Sequence, residues 1–228
     1  MSKTSSKNSD DRRKLRIEQK HARARQEILQ AAEQLLVEKG LEAVTLASVA
    51  GRLNLSKQAL YHYYSSKEAL VISLTAALLD NEIDAILAAL QQADPNEGCL
   101  GVMIRTFYGH YIAHLDAFRT IYCQSQLTSS VALRPDEQTI RERVNPRTRE
   151  LFSYLEERLA TEGMCKKQRA AVRRLAYSAW LAALGLVTML GVAESAGDPL
   201  VHKDSDLVET LAGVFNAAAE SLGAQKTG

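Results

Sequence analysis

Twenty-three residues, Thr45 to Lys67 (TLASVAGRLNLSKQALYHYYSSK), constrain the fold of this chain more than any other stretch. Their apolar residues are spaced for two short helices joined by a tight turn. Val49, Leu53, Leu55, Leu60 and Tyr63 are expected to close the small core between them, and Ala50 lets the second helix cross closely. Asn54 stands in the turn, where the backbone goes left-handed and Asn is tolerated better than most residues. Ser56 is placed to cap the second helix, its hydroxyl accepting from the first-turn amides. Outward, that helix leaves Lys57, Gln58, Tyr61 and His62, a polar and aromatic surface suited to a DNA groove.

The flanks extend the pattern. Upstream, ARQEILQAAEQLLVEKGLEAVT spaces Ile28, Ala32, Leu35 and Leu36 as the apolar face of one helix, which Gly40 stops before Thr45 opens the next. Downstream, Ser65 and Glu68 have the spacing of a capping box for a further helix. With Leu41, Lys67 and Leu70, these residues make the segment from about Ala22 to Leu74 resemble the DNA-binding domain of the TetR family of bacterial transcriptional regulators. The remaining two thirds of the chain is similar to that family only in length and helical character.

The resemblance places Lys57, Gln58, Ala59, Tyr61, His62 and Tyr63 at the DNA surface, with Thr45 and Lys67 at flanking phosphates. The chemistry agrees: Gln58 suits adenine, Lys57 suits guanine O6 or N7, and Ala59 suits a thymine methyl. The Tyr61 and Thr45 hydroxyls and the Lys67 ammonium suit phosphate oxygens. Tyr63 has a competing reading as part of the head's core.

Charge is divided along the chain. Residues 1–70 carry 13 Lys and Arg against 8 Asp and Glu, net +5, while the rest carries 15 against 19, net −4. Residues 1–10 are expected to be disordered, and a long helix is expected from Asp11 to Lys39. Residues 1–20 thus read as a disordered or helical basic arm, 21–70 as the DNA-binding head, and 71–228 as a regulatory and dimerisation domain. Arg12, Arg13, Lys14, Arg16, Lys20, Arg23 and Arg25 have two readings, a solvated helix face or an arm along the phosphate backbone or an adjacent minor groove.

The periodicity predicts an all-α chain. One helix runs from Ser66 to about Gln92, followed by the loop 94–98 and helices over 99–115 and 117–130. A short helix starts at Pro135, and Asn145 caps another from Pro146 to about Ala160, which Gly163 ends. The last two run over Lys166 to Ala193 and Asp204 to Leu222. Their small residues allow close helix packing, while Trp180, Leu184, Val187, Leu211 and Phe215 offer apolar surface beyond what one chain needs. The resemblance implies a dimer interface made from two copies of this pair.

Phe107, Tyr108, Tyr111, His114 and Tyr122 read either as a small-molecule cavity or as an ordinary core with satisfied polar tips. His110 and His114 stand four apart, yet no metal-binding motif accompanies them, and no metal or cofactor is expected. No nucleotide-binding or hydrolase fingerprint occurs, so no enzyme is read. No run of about eighteen apolar residues free of charge is read, so no membrane helix is expected. Three cysteines without a paired motif suit a reduced, cytoplasmic protein. The function expected is a homodimeric repressor of a double-stranded DNA operator, released by a small-molecule ligand. The alternative is an activator, or a DNA-binding protein acting through a protein partner.

Overall fold

The computed structural model describes residues 3–123, 138, 140–160, 164–196 and 203–224, and every regular element among them is helical. The expected helix from Pro135, the stop at Gly163, and Gln124 with the rest of the 117–130 helix lie outside these residues. Two compact units are present. The first is built on residues up to Ala77; the second is built on Leu78–Ile121 and the described residues from 138 onward.

In the first unit, α1 (Lys3–Lys39) starts well before the expected Asp11, so the basic extension is helical from Lys3. Its buried residues are Ile28, Ala31, Ala32, Leu35 and Leu36, which is one face of a 3.6-residue period. Gly40 ends it at φ 74° and ψ 173°, a region that only glycine enters readily. A 3-10 turn (Leu41–Ala43) leads into α2 (Leu46–Arg52) and α3 (Lys57–Tyr61). Val44, Leu46, Val49, Ala50, Leu60 and Tyr64 complete the head's core.

The long α4 (Lys67–Gln92) begins in the first unit and ends in the second. The second unit is organised on α5 (Cys99–Ile112), which buries residues all round, from Leu100, Met103 and Ile104 to Phe107 and Tyr111. An apolar helix of this kind must be enclosed. Three helices do so: α7 (Asn145–Leu159), α8 (Lys166–Ala196) and α9 (Asp204–Ala224) all pack on α5. Between α5 and α7 come the short α6 (Leu115–Phe118) and two wider π turns, Arg119–Cys123 and Ile140–Val144, which the sequence reading did not foresee. Val144, not Asn145, precedes the first turn of α7, and no side chain caps it there. Arg147 then pins α7 to α4, pairing with Asp80 at 3.5 Å and with Asp84.

One expectation about α8 is corrected. Leu175 to Ala193 contains no charged residue, and the helix is long and apolar enough, by length and composition, to cross a membrane. Here Val172, Ala176, Ala179, Ala183 and Val187 are buried against the chain itself, while Tyr177, Leu181 and Met189 on the same helix are exposed.

Candidate nucleic-acid interface

The turn between α2 and α3 fixes the head. The Leu55 amide donates to the Ala50 carbonyl at 2.9 Å and the Asn54 amide to the Gly51 carbonyl at 3.2 Å, the paired bonds of a Schellman helix end. That closure needs a left-handed residue, and Asn54 supplies φ 54°. It also turns Leu55 outward, 44% exposed, so Leu55 does not close the core as expected. Tyr64 takes the buried position that the sequence reading gave to Tyr63, which is half-buried.

Caps set the helix starts. Thr45 Oγ1 accepts from the Ser48 amide at 3.0 Å, and Ser56 Oγ accepts from the Ala59 amide at 3.2 Å. The Thr45 hydroxyl also lies 2.8 Å from Ser48 Oγ; when Ser48 donates in that bond, the Thr45 proton stays available to a phosphate oxygen. The cap of α4 is Ser66, whose Oγ accepts from the Ala69 amide at 3.2 Å, rather than the expected Ser65. Glu68 is held below its usual carboxylate range first by its own backbone amide and then by the Ser66 hydroxyl.

With the scaffold set, α3 presents Lys57, Gln58, Tyr61 and His62 to solvent, with Ala59 and Tyr63 half-buried beside them. Lys57 Nζ lies 5.8 Å from the Tyr61 ring centroid, a cation–π contact weak enough at an exposed site to yield to DNA. Lys67 approaches Glu42 at 3.7 Å, an exposed pair of small worth. The sequence reading missed how α1 meets this surface. The His21 ring stands 5.6 Å from that of Tyr63, Arg25 donates to the Tyr63 carbonyl at 3.4 Å, and its guanidinium lies over the Tyr64 ring at 5.6 Å. On the far side, Arg52 grips Glu38; that hydrogen bond is the main reason the Glu38 carboxyl titrates below its usual range.

In the second unit, Phe107 and Tyr111 come together with Phe118 as a buried edge-to-face cluster, the rings 5.1 to 6.4 Å apart. The Tyr111 hydroxyl donates at 2.5 Å to the buried Glu82 carboxylate, which the sequence reading passed over. Tyr108 turns outward to Asp204 at 3.3 Å. His114 is exposed, not set among the aromatic rings, and Tyr122 falls in the first unit. Burial lowers the pKa of His110, with a smaller push from His114. Among the described residues no group of three metal-binding side chains is gathered.

Between α8 and α9 runs an open apolar groove of about 400 Å³, lined by Ala182, Gly185, Leu186, Met189, Leu211 and Val214 among others. Met189 is 61% and Val214 59% exposed. Of the residues expected at a dimer interface, Leu211 lines the groove, and Leu184 and Phe215 are half-buried. Trp180 stands with Phe152 and Tyr177 on the flank facing α7. Val187 is only 2% exposed and already covered within its own chain, so it offers nothing to a second one.

A capped two-helix unit with a polar outer face, carried ahead of a helical body, defines a helix-turn-helix DNA-binding protein. Residues 28–74 match the model of the bacterial regulatory proteins of the tetR family, and the N-terminal domain of this chain is that of the TetR family of transcriptional regulators. The HTH-type transcriptional activator FasR of Mycolicibacterium smegmatis is 26% identical over 104 residues, 46% of this chain and 48% of the relative. The match therefore spans about half of that protein's length. The fatty acid degradation regulator FadR from Bacillus halodurans superposes with a TM-score of 0.56 at 17% identity, covering 84% of this chain and 94% of that one. FadR from Bacillus subtilis, solved in complex with stearoyl-CoA, gives 0.57 at 15% identity, covering 83% and 96%. At these identities the likeness is one of fold.

Proposed function

We propose that the chain is a homodimeric repressor that binds a twofold-symmetric operator and is released from it by a small molecule. The observation that carries this reading is the outer face of α3, where Lys57, Gln58, Tyr61 and His62 are exposed on a helix capped at Ser56 and anchored by the buried Leu60. In the roles read for them, Gln58 and Lys57 address base edges, and Thr45, Tyr61 and Lys67 hold phosphates. The apolar groove between α8 and α9 supports pairing of two copies, which joins two half-sites into one operator. Because α4 runs without interruption out of the head into the ligand-bearing unit, a ligand that favours one setting of this helix shifts DNA affinity, and DNA shifts ligand affinity by the same factor.

The ligand chemistry to test first is a long acyl thioester, which the stearoyl-CoA complex of the Bacillus subtilis fold relative suggests. The experiment is fluorescence anisotropy of an operator duplex, recovered by selection from a random pool, with and without stearoyl-CoA. Release on adding stearoyl-CoA is expected; unchanged binding would remove the acyl thioester as effector. A second reading, activation of transcription, is favoured by the FasR relative. A reporter whose output rises when this protein occupies the operator would replace repression with it.

A further inference from the structure

We propose that the helical extension ahead of the head, residues 12–23, is a second nucleic-acid contact: a row of cations that follows the phosphate backbone beyond the base pairs touched by α3. This rests on the reading of the head as DNA-binding.

Residues 12–20 of the extension bury no side chain. The buried face of α1 begins at Ile28, whereas residues 12–20 are all exposed, Leu15 and Ile17 included at 55% and 50%. Charge is what the segment does carry. Residues 12–27 hold seven Lys and Arg against Glu18 and Glu27. Among the described side chains, the ion pair made by this stretch is Arg23 with Glu27 at 3.2 Å, an exposed pair that a phosphate can displace.

Spacing turns the charge into a surface. Arg12, Arg16, Lys20 and Arg23 follow one another at intervals of four, four and three residues, which places them on one side of the helix. At about 1.5 Å per residue the row is ~16 Å long, or roughly five phosphates of one DNA strand at about 3.4 Å each. Like charges at this spacing destabilise a helix in water, so an anionic partner is what makes the row favourable. The row also leaves the head at the right place: His21 and Arg25 hold α1 against Tyr63 and Tyr64, two and three residues past the end of α3. A lipid surface is a poorer fit. Leu15 and Ile17, two apart, point to opposite sides of the helix and form no apolar face.

The test replaces all four cations in the full chain (Arg12→Ala, Arg16→Ala, Lys20→Ala, Arg23→Ala). Alanine keeps helix propensity, and circular dichroism checks that the helix persists. Binding to the selected operator and to random duplex, both about 40 base pairs long, is followed across a salt series; loss of four phosphate contacts per protomer, eight per bound dimer, should lower the log–log salt slope by about 7. Affinity should fall on both duplexes while the preference for the operator stays the same. Trimming the operator to the base pairs spanned by the recognition helices should erase the difference between parent and variant. An unchanged slope with preference intact overturns this proposal and leaves the head's reading standing, whereas a parent chain with no operator preference overturns the head's reading itself. Loss of binding to phosphatidylglycerol vesicles, with the DNA slope unchanged, would assign the row to a lipid surface instead.

Discussion

Asn216 caps a helix that it does not belong to. It sits on α9, and its Oδ1 accepts from the Gly101 amide in the first turn of α5 at 2.9 Å, across 115 residues of sequence. Gly98, which precedes α5, supplies no side-chain cap of its own. A Cβ on Gly98 would overlap the Asn216 carboxamide, and one on Gly101 would lie 2.6 Å from its Nδ2. The Gly98 backbone, at φ −63° and ψ 111°, is one that alanine adopts freely, so the carboxamide alone makes glycine necessary there. Removing the cap with Asn216→Ala should cost about 1 kcal/mol. Gly98→Ala in the parent chain should displace the carboxamide and lose the same bond together with its packing, a net cost of about 1 kcal/mol. Once Asn216 is already alanine, the same substitution should stabilise by ~0.4–1 kcal/mol, because it restricts only the unfolded chain. The effect of Gly98→Ala therefore changes sign between backgrounds, with a coupling of about 1.5–2 kcal/mol. Guanidinium denaturation followed by the single tryptophan, Trp180, reads this unit directly. A Gly98→Ala effect of the same sign and size in both backgrounds would refute the argument.

Asn54→Ala should destabilise the head by ~1–2 kcal/mol, the cost of a left-handed alanine, whereas Asn54→Gly should be tolerated; hydrogen exchange of the α2 and α3 amides measures both. Glu38 titrates below its usual range because Arg52 hydrogen-bonds to it, so the stability it contributes is present at neutral pH and lost as pH falls through its lowered pKa, below about 4.5. Replacing it with Gln should flatten that acid limb of a melting-temperature profile, and an unchanged limb would place the acid sensitivity elsewhere. Met189→Asp with Val214→Asp puts charges into the α8–α9 groove and should convert a dimer to a monomer by sedimentation equilibrium; a dimer that survives both places the interface on another face.

The head was legible because each of its decisions is local. A left-handed turn needs Asn54, a helix stop needs Gly40, and the α2 and α3 starts need hydroxyls at Thr45 and Ser56. Where neighbours could serve equally, the reading slipped by one: Ser65 and Ser66 are both able caps, and Tyr63 and Tyr64 are both able core residues. The body was legible as helices but not as a site. Helix periodicity in α8 could not say which flank its own chain covers, since small and apolar residues surround it; Val187 went inward and Met189 outward. The partners that decide this unit are far apart in sequence: Tyr111 with Glu82, Arg147 with Asp80, and Asn216 with Gly101. No local pattern announces them.

The central claim is that α3 reads base sequence, and selection of duplexes from a random pool by the full chain tests it most directly. The expected outcome is an enriched inverted repeat whose half-sites stand about one helical turn or somewhat more apart, with the preference lost in a Lys57→Ala, Gln58→Ala variant while salt-sensitive binding remains. No enrichment, with equal binding of every duplex by parent and variant alike, would contradict it.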